Sequence, residues 1–185
     1  VALTKKLNIG DPTDRNVYTG PVVNKASYRD FQNFTEQIGQ AGRFLAGGKV
    51  LTEGAYAHGY FCQPTLAELP HEHGLWRQEM FVPITTVGKV SSLQEAMSWA
   101  NEVDYGLTGG FYGSLEEVDW YYDQIESGVV YANRPQGATT GAWPGFQPFG
   151  GWKASGSTGK NAGGVYYLPI YMHEQIRNLV RRIPE

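Results

Sequence analysis

The chain has 185 residues, a formal net charge of -3 and 41% hydrophobic residues, which is typical of a globular protein and unlike the basic excess of nucleic-acid-binding proteins. No run approaches the ~20 apolar residues that span a bilayer, and residues 1–10 lack the pattern of a signal peptide. The single cysteine, Cys62, excludes a disulfide framework, so we expect a cytoplasmic protein without nucleic-acid or membrane partners.

The first part of the chain predicts one amphipathic helix and two short strands. The helix is expected over 24–40, with Gly39 and Gly42 ending it. Short strands are expected over 49–52 and 59–65, the second broken by a proline. The apolar residues that recur at steps of three and four on one face of the helix are Tyr28, Phe31, Phe34 and Ile38.

Three apolar runs in the middle of the chain predict strands over 83–90, 106–112 and 129–132. Helical patterns fill the two intervals between them, and the connections are short. This alternation indicates a parallel sheet with crossover helices, so we expect an α/β fold with a three-layer parallel sheet. Ligands in such folds bind beyond the carboxyl ends of the strands, which here lead to Tyr112 and Asn133.

Two capping boxes mark the starts of the helices between these strands. Ser92 with Glu95, and Ser114 with Glu117, have the spacing at which a hydroxyl and a carboxylate satisfy free N–H groups. Gly128 is expected to end the second helix. The predicted apolar stripes are Leu93, Ala96, Met97 and Ala100 on the first helix, and Leu115, Val118, Tyr122 and Ile125 on the second.

The glycine-rich segment 134–164 begins where this fold places a ligand site. Gly141 and Ala142 offer backbone N–H groups with little side-chain obstruction, and such groups bind carboxylates well. Phe149 could cover an aliphatic substrate chain. A packing loop explains the same residues equally well, so the residues alone leave both interpretations open.

Glu79 and Phe81 precede the strand predicted over 83–90. A carboxylate can accept hydrogen bonds from both vicinal hydroxyls of a ribose, and an aromatic ring two residues later could line the pocket of a flat heterocycle. The alternative is a surface glutamate beside Arg77. Composition favours the surface interpretation, and the position before a core strand keeps the binding interpretation open.

Three other patterns do not indicate a functional site. Cys62 lies on an apolar strand with no neighbouring base or cation, so it is predicted to be a buried structural residue. His71 and His73 have metal-ligand spacing, but no further cluster completes a site, and no metal is expected. The run 155–161 lacks the serine or threonine of a phosphate-binding loop, because Asn161 follows the lysine.

Three motifs together resemble the aldehyde dehydrogenase family. Residues 78–83 resemble its glutamate-any-phenylalanine-glycine-proline signature, with Val82 in the place of glycine. Residues 105–108 resemble its tyrosine-glycine-leucine entry to a strand. Residues 147–156 resemble its proline-phenylalanine-glycine-glycine-any-lysine-any-serine-glycine motif. The order and spacing match over essentially the whole chain.

This resemblance implies a site for a nicotinamide cofactor, NAD or NADP. Glu79 would bind the nicotinamide ribose, and Phe81 and Leu107 would border the nicotinamide. Residues 140–149 look most like the pyrroline-carboxylate dehydrogenase branch of the family. That branch oxidises glutamate semialdehyde to glutamate in proline catabolism, so the implied substrate is a small aldehyde that carries a carboxylate.

By the same resemblance, Gly141 and Ala142 would anchor the α-carboxylate of the substrate through their backbone amides, and Phe149 would pack on its aliphatic part. The nucleophilic cysteine, the general-base glutamate and the Rossmann domain of the family lie upstream of the matched region. No catalytic residue is therefore expected in this chain. The chain opens without methionine, and we expect a fragment that is inactive and binds NAD poorly without the remainder of the enzyme.

Residues 1–172 are expected to form the C-terminal part of the catalytic domain, and 173–185 a strand or tail that joins subunits of a homo-oligomer. The alternative is a non-catalytic, stand-alone assembly or ligand-binding module derived from the same ancestor. A reading frame that continues upstream into a glycine-any-cysteine loop would favour the enzyme. A true start codon at the N-terminus would favour the module.

Overall fold

A computed structural model of the protein describes residues 1–134, 147–157 and 160–181. The chain divides into a first unit, Val1–Val90, and a second unit, Ser91–Glu185. Each unit contains helices, strands and buried apolar side chains of its own. Among the described residues, no helix has both the length and the apolar character needed to cross a bilayer.

The first unit is built on α1 (Lys25–Ala41), which confirms the predicted helix. Asn24 caps its start, because the side-chain oxygen accepts a hydrogen bond from the Ser27 N–H at 2.9 Å. Gly42 caps its end. Gly39, which we expected to share that role, lies inside the helix instead, and α1 continues beyond it for two more residues.

The predicted apolar face of α1 forms the centre of the core. Phe31 and Ile38 are fully buried, and Tyr28 is partly buried against the same cluster. Full burial of one such side chain stabilises the fold by about 1.5–3 kcal/mol. The other buried members of the cluster are Phe34, Cys62, Ala67, Leu69, Leu75 and Ile84.

Five strands follow α1: β1 (Arg43–Ala46), β2 (Val50–Leu51), β3 (Phe61–Cys62), β4 (Thr65–Glu68) and β5 (Ile84–Val87). In one sheet, β4 pairs antiparallel with β1 and parallel with β5, and β2 pairs antiparallel with β3 in another. The strand expected over 83–90 is confirmed as β5. The sequence pattern does not predict β1, because its four residues follow the helix directly and are too few to show a period.

The second unit contains α2 (Leu93–Asn101), β6 (Tyr105–Gly106), β7 (Thr108–Phe111), α3 (Leu115–Gln124), β8 (Val129–Ala132) and β9 (Trp152–Lys153). β7 and β8 pair in parallel, with α3 as their connection, and β6 pairs antiparallel with β9. The single strand predicted over 106–112 is therefore two short strands. The chain changes its pairing partner at Leu107, between β6 and β7.

The two predicted capping boxes differ in the structure. At α3, the Ser114 hydroxyl accepts from the Glu117 N–H at 3.3 Å and the Glu117 carboxylate accepts from the Ser114 N–H at 2.8 Å, so the box is complete. At α2, Ser92 accepts from the Glu95 N–H at 3.1 Å. The Glu95 carboxylate, however, accepts from the N–H and the hydroxyl of Ser91, one residue earlier than predicted.

The buried face of α3 matches the prediction at Val118 and Ile125 and differs from it elsewhere. Val118 and Tyr121 are buried, and the Tyr121 ring stacks on Phe111 of β7 with ring centroids 4.9 Å apart. Leu115 is 81% exposed and Tyr122 is 44% exposed, so the predicted stripe is wrong at these two positions. The stacking on Phe111 selects Tyr121 over its neighbour, and a short helical pattern does not show which of two adjacent tyrosines packs inward.

Two further expectations are modified, and a third is not tested. α3 ends at Gln124, before Gly128, which instead precedes β8. α2 contains no fully buried residue: three stripe residues are partly buried and Ala100 is exposed. Residues 173–181 are exposed and form no strand within the described chain, so an oligomerising strand there remains a prediction.

Candidate functional site

Glu79 lies in the first unit, in the coil that leads into β5, and its side chain is exposed to solvent. The preceding 3-10 turn, Gly74–Trp76, buries Leu75 in the core of the unit. The following strand buries Ile84 in the same core. The coil between these two anchors is therefore fixed at both ends, and the Glu79 carboxylate within it faces water.

Phe81 combines an exposed ring with a left-handed backbone. Its φ is 51° and its side chain is 82% exposed. A bulky residue in this conformation is an outlier that costs about 1–2 kcal/mol. Val82, which stands where the family motif has glycine, packs against the core, and its carbonyl accepts from the Ile84 N–H at 2.7 Å. Val82 thus anchors the chain in the core, and the neighbouring Phe81 ring faces solvent.

Leu107 lies in the second unit, between β6 and β7, and is 39% exposed. Its carbonyl accepts a hydrogen bond from the Val129 N–H at 3.0 Å. The carbonyl of Gly106 accepts from the Gly128 N–H at 2.9 Å. These bonds fix the backbone where the chain passes from β6 to β7. The leucine side chain remains accessible to a ligand.

Phe149 also lies in the second unit and is partly buried. Its N–H donates to the Ala162 carbonyl at 2.7 Å, and the two residues form an isolated antiparallel bridge. The backbone of Phe149 is therefore fixed by its hydrogen bond to the chain that follows it. Gly141 and Ala142 lie outside the described residues, so the backbone-amide anchor for a carboxylate remains a prediction.

The predicted site residues thus fall into two groups. Glu79 and Phe81 belong to the first unit, and Leu107 and Phe149 belong to the second. Each lies in coil beside a short strand or bridge, and none is fully buried. Such positions, outside the regular elements but fixed by them, are where enzymes place residues that contact ligands.

Asn133 has a role that its sequence position does not reveal. It follows β8 with a φ of 50°. Its side chain accepts from the Gly113 N–H at 3.0 Å and donates to the Gly113 carbonyl at 2.9 Å. Asn133 therefore ties the carboxyl end of β8 to that of β7. An asparagine directly after a strand is the available signal, since asparagine tolerates the left-handed conformation better than most residues.

Lys153, in the motif at 147–156, makes contacts that its place in the motif does not predict. Its backbone is left-handed, with a φ of 51°. Its ammonium forms an ion pair with the Glu126 carboxylate at 2.6 Å. The same nitrogen donates to the carbonyls of Asn101 at 2.5 Å and Val103 at 3.2 Å. These acceptors are far away in sequence, so no local pattern predicts them.

Cys62 is confirmed as a buried residue, only 1% exposed on β3. Burial raises the pKa of the Cys62 thiol to about 11. The thiolate is the nucleophilic form, so at neutral pH the folded protein keeps this sulfur unreactive. Because the folded-state pKa is raised, the stability contributed by the neutral thiol is present at neutral pH. It is lost as the pH rises past the ordinary thiol value toward about 11.

Iodoacetamide is expected to modify Cys62 at least ~10-fold more slowly in the native chain than in the same chain unfolded in guanidinium chloride, because burial raises the pKa of the thiol to about 11 and so lowers the thiolate fraction. Mass spectrometry of samples quenched at intervals at pH 8 measures both rates. Since this is the single cysteine, one added group reports on one site. Equal rates in the two states would contradict the burial of this thiol.

His71 and His73 have structural contacts in the first unit. The His73 ring accepts from the Leu75 N–H at 3.3 Å and so caps the 3-10 turn. The His71 ring lies 6.3 Å from the Trp76 ring, centroid to centroid. Within the described ranges, neither histidine joins a group of three or more side chains able to hold a metal ion.

The chain is similar to 1-pyrroline-5-carboxylate dehydrogenase of Bacillus subtilis, with 37% identity over 174 residues that cover 93% of this chain and 32% of the relative. Among solved structures, it is similar to 1-pyrroline-5-carboxylate dehydrogenase from Thermus with bound NAD, with a TM-score of 0.81, 35% identity and 92% and 32% of the two chains covered. A variant of aldehyde dehydrogenase from Bacillus cereus gives a TM-score of 0.77, 26% identity and coverage of 92% and 33%.

The chain therefore spans about a third of the length of the relatives it matches. The likeness to solved structures confirms the predicted α/β class. The sequence profile described as "Aldehyde dehydrogenase family" matches residues 1–176, which include all three motifs and every predicted site residue. With nearly the whole sequence matched, this chain belongs to the aldehyde dehydrogenase family.

Proposed function

We propose that this chain is the C-terminal part of the catalytic domain of an NAD-dependent aldehyde dehydrogenase that oxidises glutamate semialdehyde to glutamate in proline catabolism. The observation that carries the proposal is the similarity to proteins named 1-pyrroline-5-carboxylate dehydrogenase, at 36–37% identity over 93% of the chain. The glycine-rich segment from 134 to 164, where branches of the family differ, supports the same substrate class.

The cofactor proposal is supported by the exposed groups of the first unit. Glu79 offers a solvent-facing carboxylate that can accept hydrogen bonds from ribose hydroxyls, and Phe81 offers an exposed ring for a flat heterocycle. The residues present therefore fit a nicotinamide nucleotide. NAD supplies the hydride acceptor when bound. Leu107, exposed in the second unit, would border the nicotinamide.

For the substrate, the backbone N–H groups of Gly141 and Ala142 would bind the α-carboxylate, since neither residue has a side chain that blocks approach to the amides. Phe149 would pack on the aliphatic carbons between the carboxylate and the aldehyde. This contact is supported by the bridge to Ala162, which fixes the backbone of Phe149. The chain would then select acidic aldehydes over neutral ones.

The nucleophilic thiolate is proposed to come from the remainder of the enzyme. Cys62 is buried, with a pKa raised to about 11, and is unsuited to attack an aldehyde. We accordingly expect the isolated chain to be inactive and to bind NAD poorly. Residues 173–185 would join subunits of a cytoplasmic homo-oligomer. The exposed apolar side chains that support this tail as an interface are Ile176, Leu179 and Val180.

The test compares the complete enzyme with the 185-residue chain by following NAD reduction at 340 nm. For the complete enzyme, kcat/KM for glutamate semialdehyde is expected to exceed that for butanal, which lacks the carboxylate, by at least ~100-fold. The isolated chain is expected to give no reduction above background. Equal kcat/KM for the two aldehydes would overturn the substrate proposal, and enzyme-like turnover by the isolated chain would overturn the division of roles.

A further inference from the structure

The ammonium group of Lys153 is saturated by groups of the second unit. A lysine ammonium has three N–H donors, and here the nitrogen contacts three acceptors. They are the carbonyls of Asn101 and Val103 and the carboxylate of Glu126. The side chain is only 24% exposed. The three donors of Lys153 are therefore already used by acceptors of the protein. The motif lysine does not offer a free cation to a phosphate or a carboxylate of a ligand.

These contacts join three separate pieces of the second unit. The Asn101 and Val103 carbonyls lie at and just after the end of α2, where a cation is favoured by the helix dipole. The Asn101 side chain also donates to the Gln124 carbonyl at 2.8 Å and accepts from the Glu126 N–H at 2.9 Å. Lys153, Asn101 and Glu126 thus connect β9, the end of α2 and the turn after α3. We call these three residues the lysine clamp.

The lysine clamp lies at the pairing of β9 with β6. Lys153 is directly opposite Tyr105 in the register of the two strands. Additional bonds support the pairing: the Ala154 N–H donates to the Asp104 carbonyl at 3.0 Å, and the Gly106 N–H donates to the Ser155 hydroxyl at 3.1 Å. The left-handed backbone of Lys153 is unfavourable for a residue with a side chain, and the three contacts of its ammonium offset that cost.

Two residues proposed for the site flank this paired region. Leu107 follows Tyr105 by two positions, and Phe149 precedes Lys153 by four. A shift of β9 along or away from β6 would therefore displace the nicotinamide contact and the substrate contact together. No other described lysine of the second unit occupies such a position, since Lys160 lies with its nitrogen 4.0 Å from the centroid of the Tyr166 ring.

We propose that Lys153 is a positioning residue: through the lysine clamp it holds Leu107 and Phe149 in place for cofactor and aldehyde. The inference rests on the proposed function for the identity of the two ligands. The clamp itself rests only on contacts within the second unit. Lys153 would therefore affect the affinity for both ligands without contacting either of them.

The test uses Lys153→Met, Lys153→Arg and the control Lys160→Met in the complete enzyme. Lys153→Met is expected to raise KM for both NAD and glutamate semialdehyde by about tenfold or more, because displaced Leu107 and Phe149 lose their contacts with the bound ligands. Lys160→Met is expected to leave both within about twofold. Lys153→Arg should fall between wild type and Lys153→Met, because a planar guanidinium keeps the charge but does not reproduce three tetrahedral donors.

A merely structural lysine would give a different result. Loss of folded enzyme lowers apparent kcat and leaves both KM values unchanged, and that pattern in Lys153→Met would overturn the proposal. Amide hydrogen exchange at Gly106 and Phe149 tests the clamp independently of the reaction. If the wild-type enzyme fails to oxidise glutamate semialdehyde, the proposed function fails. Faster exchange in Lys153→Met than in Lys160→Met would then still support the clamp, and equal exchange would overturn it.

Discussion

Alanine in place of Gly128 is expected to destabilise the protein by about 2–3 kcal/mol and to lower kcat/KM of the complete enzyme at least ~10-fold. A Cβ at this position would lie 2.1 Å from the Gly150 carbonyl oxygen and 2.8 Å from the Gly151 Cα. Both neighbours are backbone atoms of the glycine-rich motif. The motif must therefore move, and Phe149 moves with it.

Gly74→Ala is the matched control, because nothing lies within 4 Å of a Cβ at Gly74. Its free energy of unfolding is expected to stay within about 0.5 kcal/mol of the wild type. Urea denaturation of both variants measures stability, and kcat/KM for glutamate semialdehyde measures the site. A Gly128→Ala enzyme with wild-type stability and kcat/KM would show that the contact between Gly128 and the motif is not as close as described.

Glycine in place of Phe81 is expected to separate stability from cofactor affinity. The left-handed backbone of Phe81 costs about 1–2 kcal/mol, and glycine adopts it freely. The exposed ring contributes little burial, so Phe81→Gly should be at least as stable as the wild type. The proposed contact with the nicotinamide is lost, and KM for NAD should rise about tenfold.

Phe81→Ala is the comparison that isolates the ring from the strain. Alanine removes the ring but keeps the unfavourable backbone, so KM for NAD should rise as in Phe81→Gly while the melting temperature should be lower than that of Phe81→Gly. Thermal denaturation without ligands and NAD titrations at saturating aldehyde provide the two measurements. An unchanged KM for NAD in both variants would remove Phe81 from the cofactor site.

The elements that could be predicted from sequence are those whose signals are local. α1 shows four apolar residues at helical spacing, and Asn24 marks its start. The complete capping box of Ser114 likewise requires only residues within one helical turn. β8 is a short apolar run between glycine and asparagine. In each case the residues that determine the element are neighbours in the chain.

What could not be predicted depends on contacts between distant residues. The acceptors of Lys153 lie on α2 and after α3, and their approach follows from the pairing of β9 with β6. Tyr121 of α3 packs inward because its ring stacks on Phe111 of β7. The strain at Phe81 arises because Val82 and β5 are anchored in the core. None of these relations leaves a periodic or spaced pattern in the sequence.

A crystal structure of the complete enzyme with NAD and glutamate, the product of the proposed reaction, tests the account most directly. We predict that the α-carboxylate of glutamate accepts hydrogen bonds from the backbone N–H groups of Gly141 and Ala142, and that Glu79 accepts from the nicotinamide ribose hydroxyls. A product carboxylate bound by other groups, with Glu79 remote from the ribose, would contradict it.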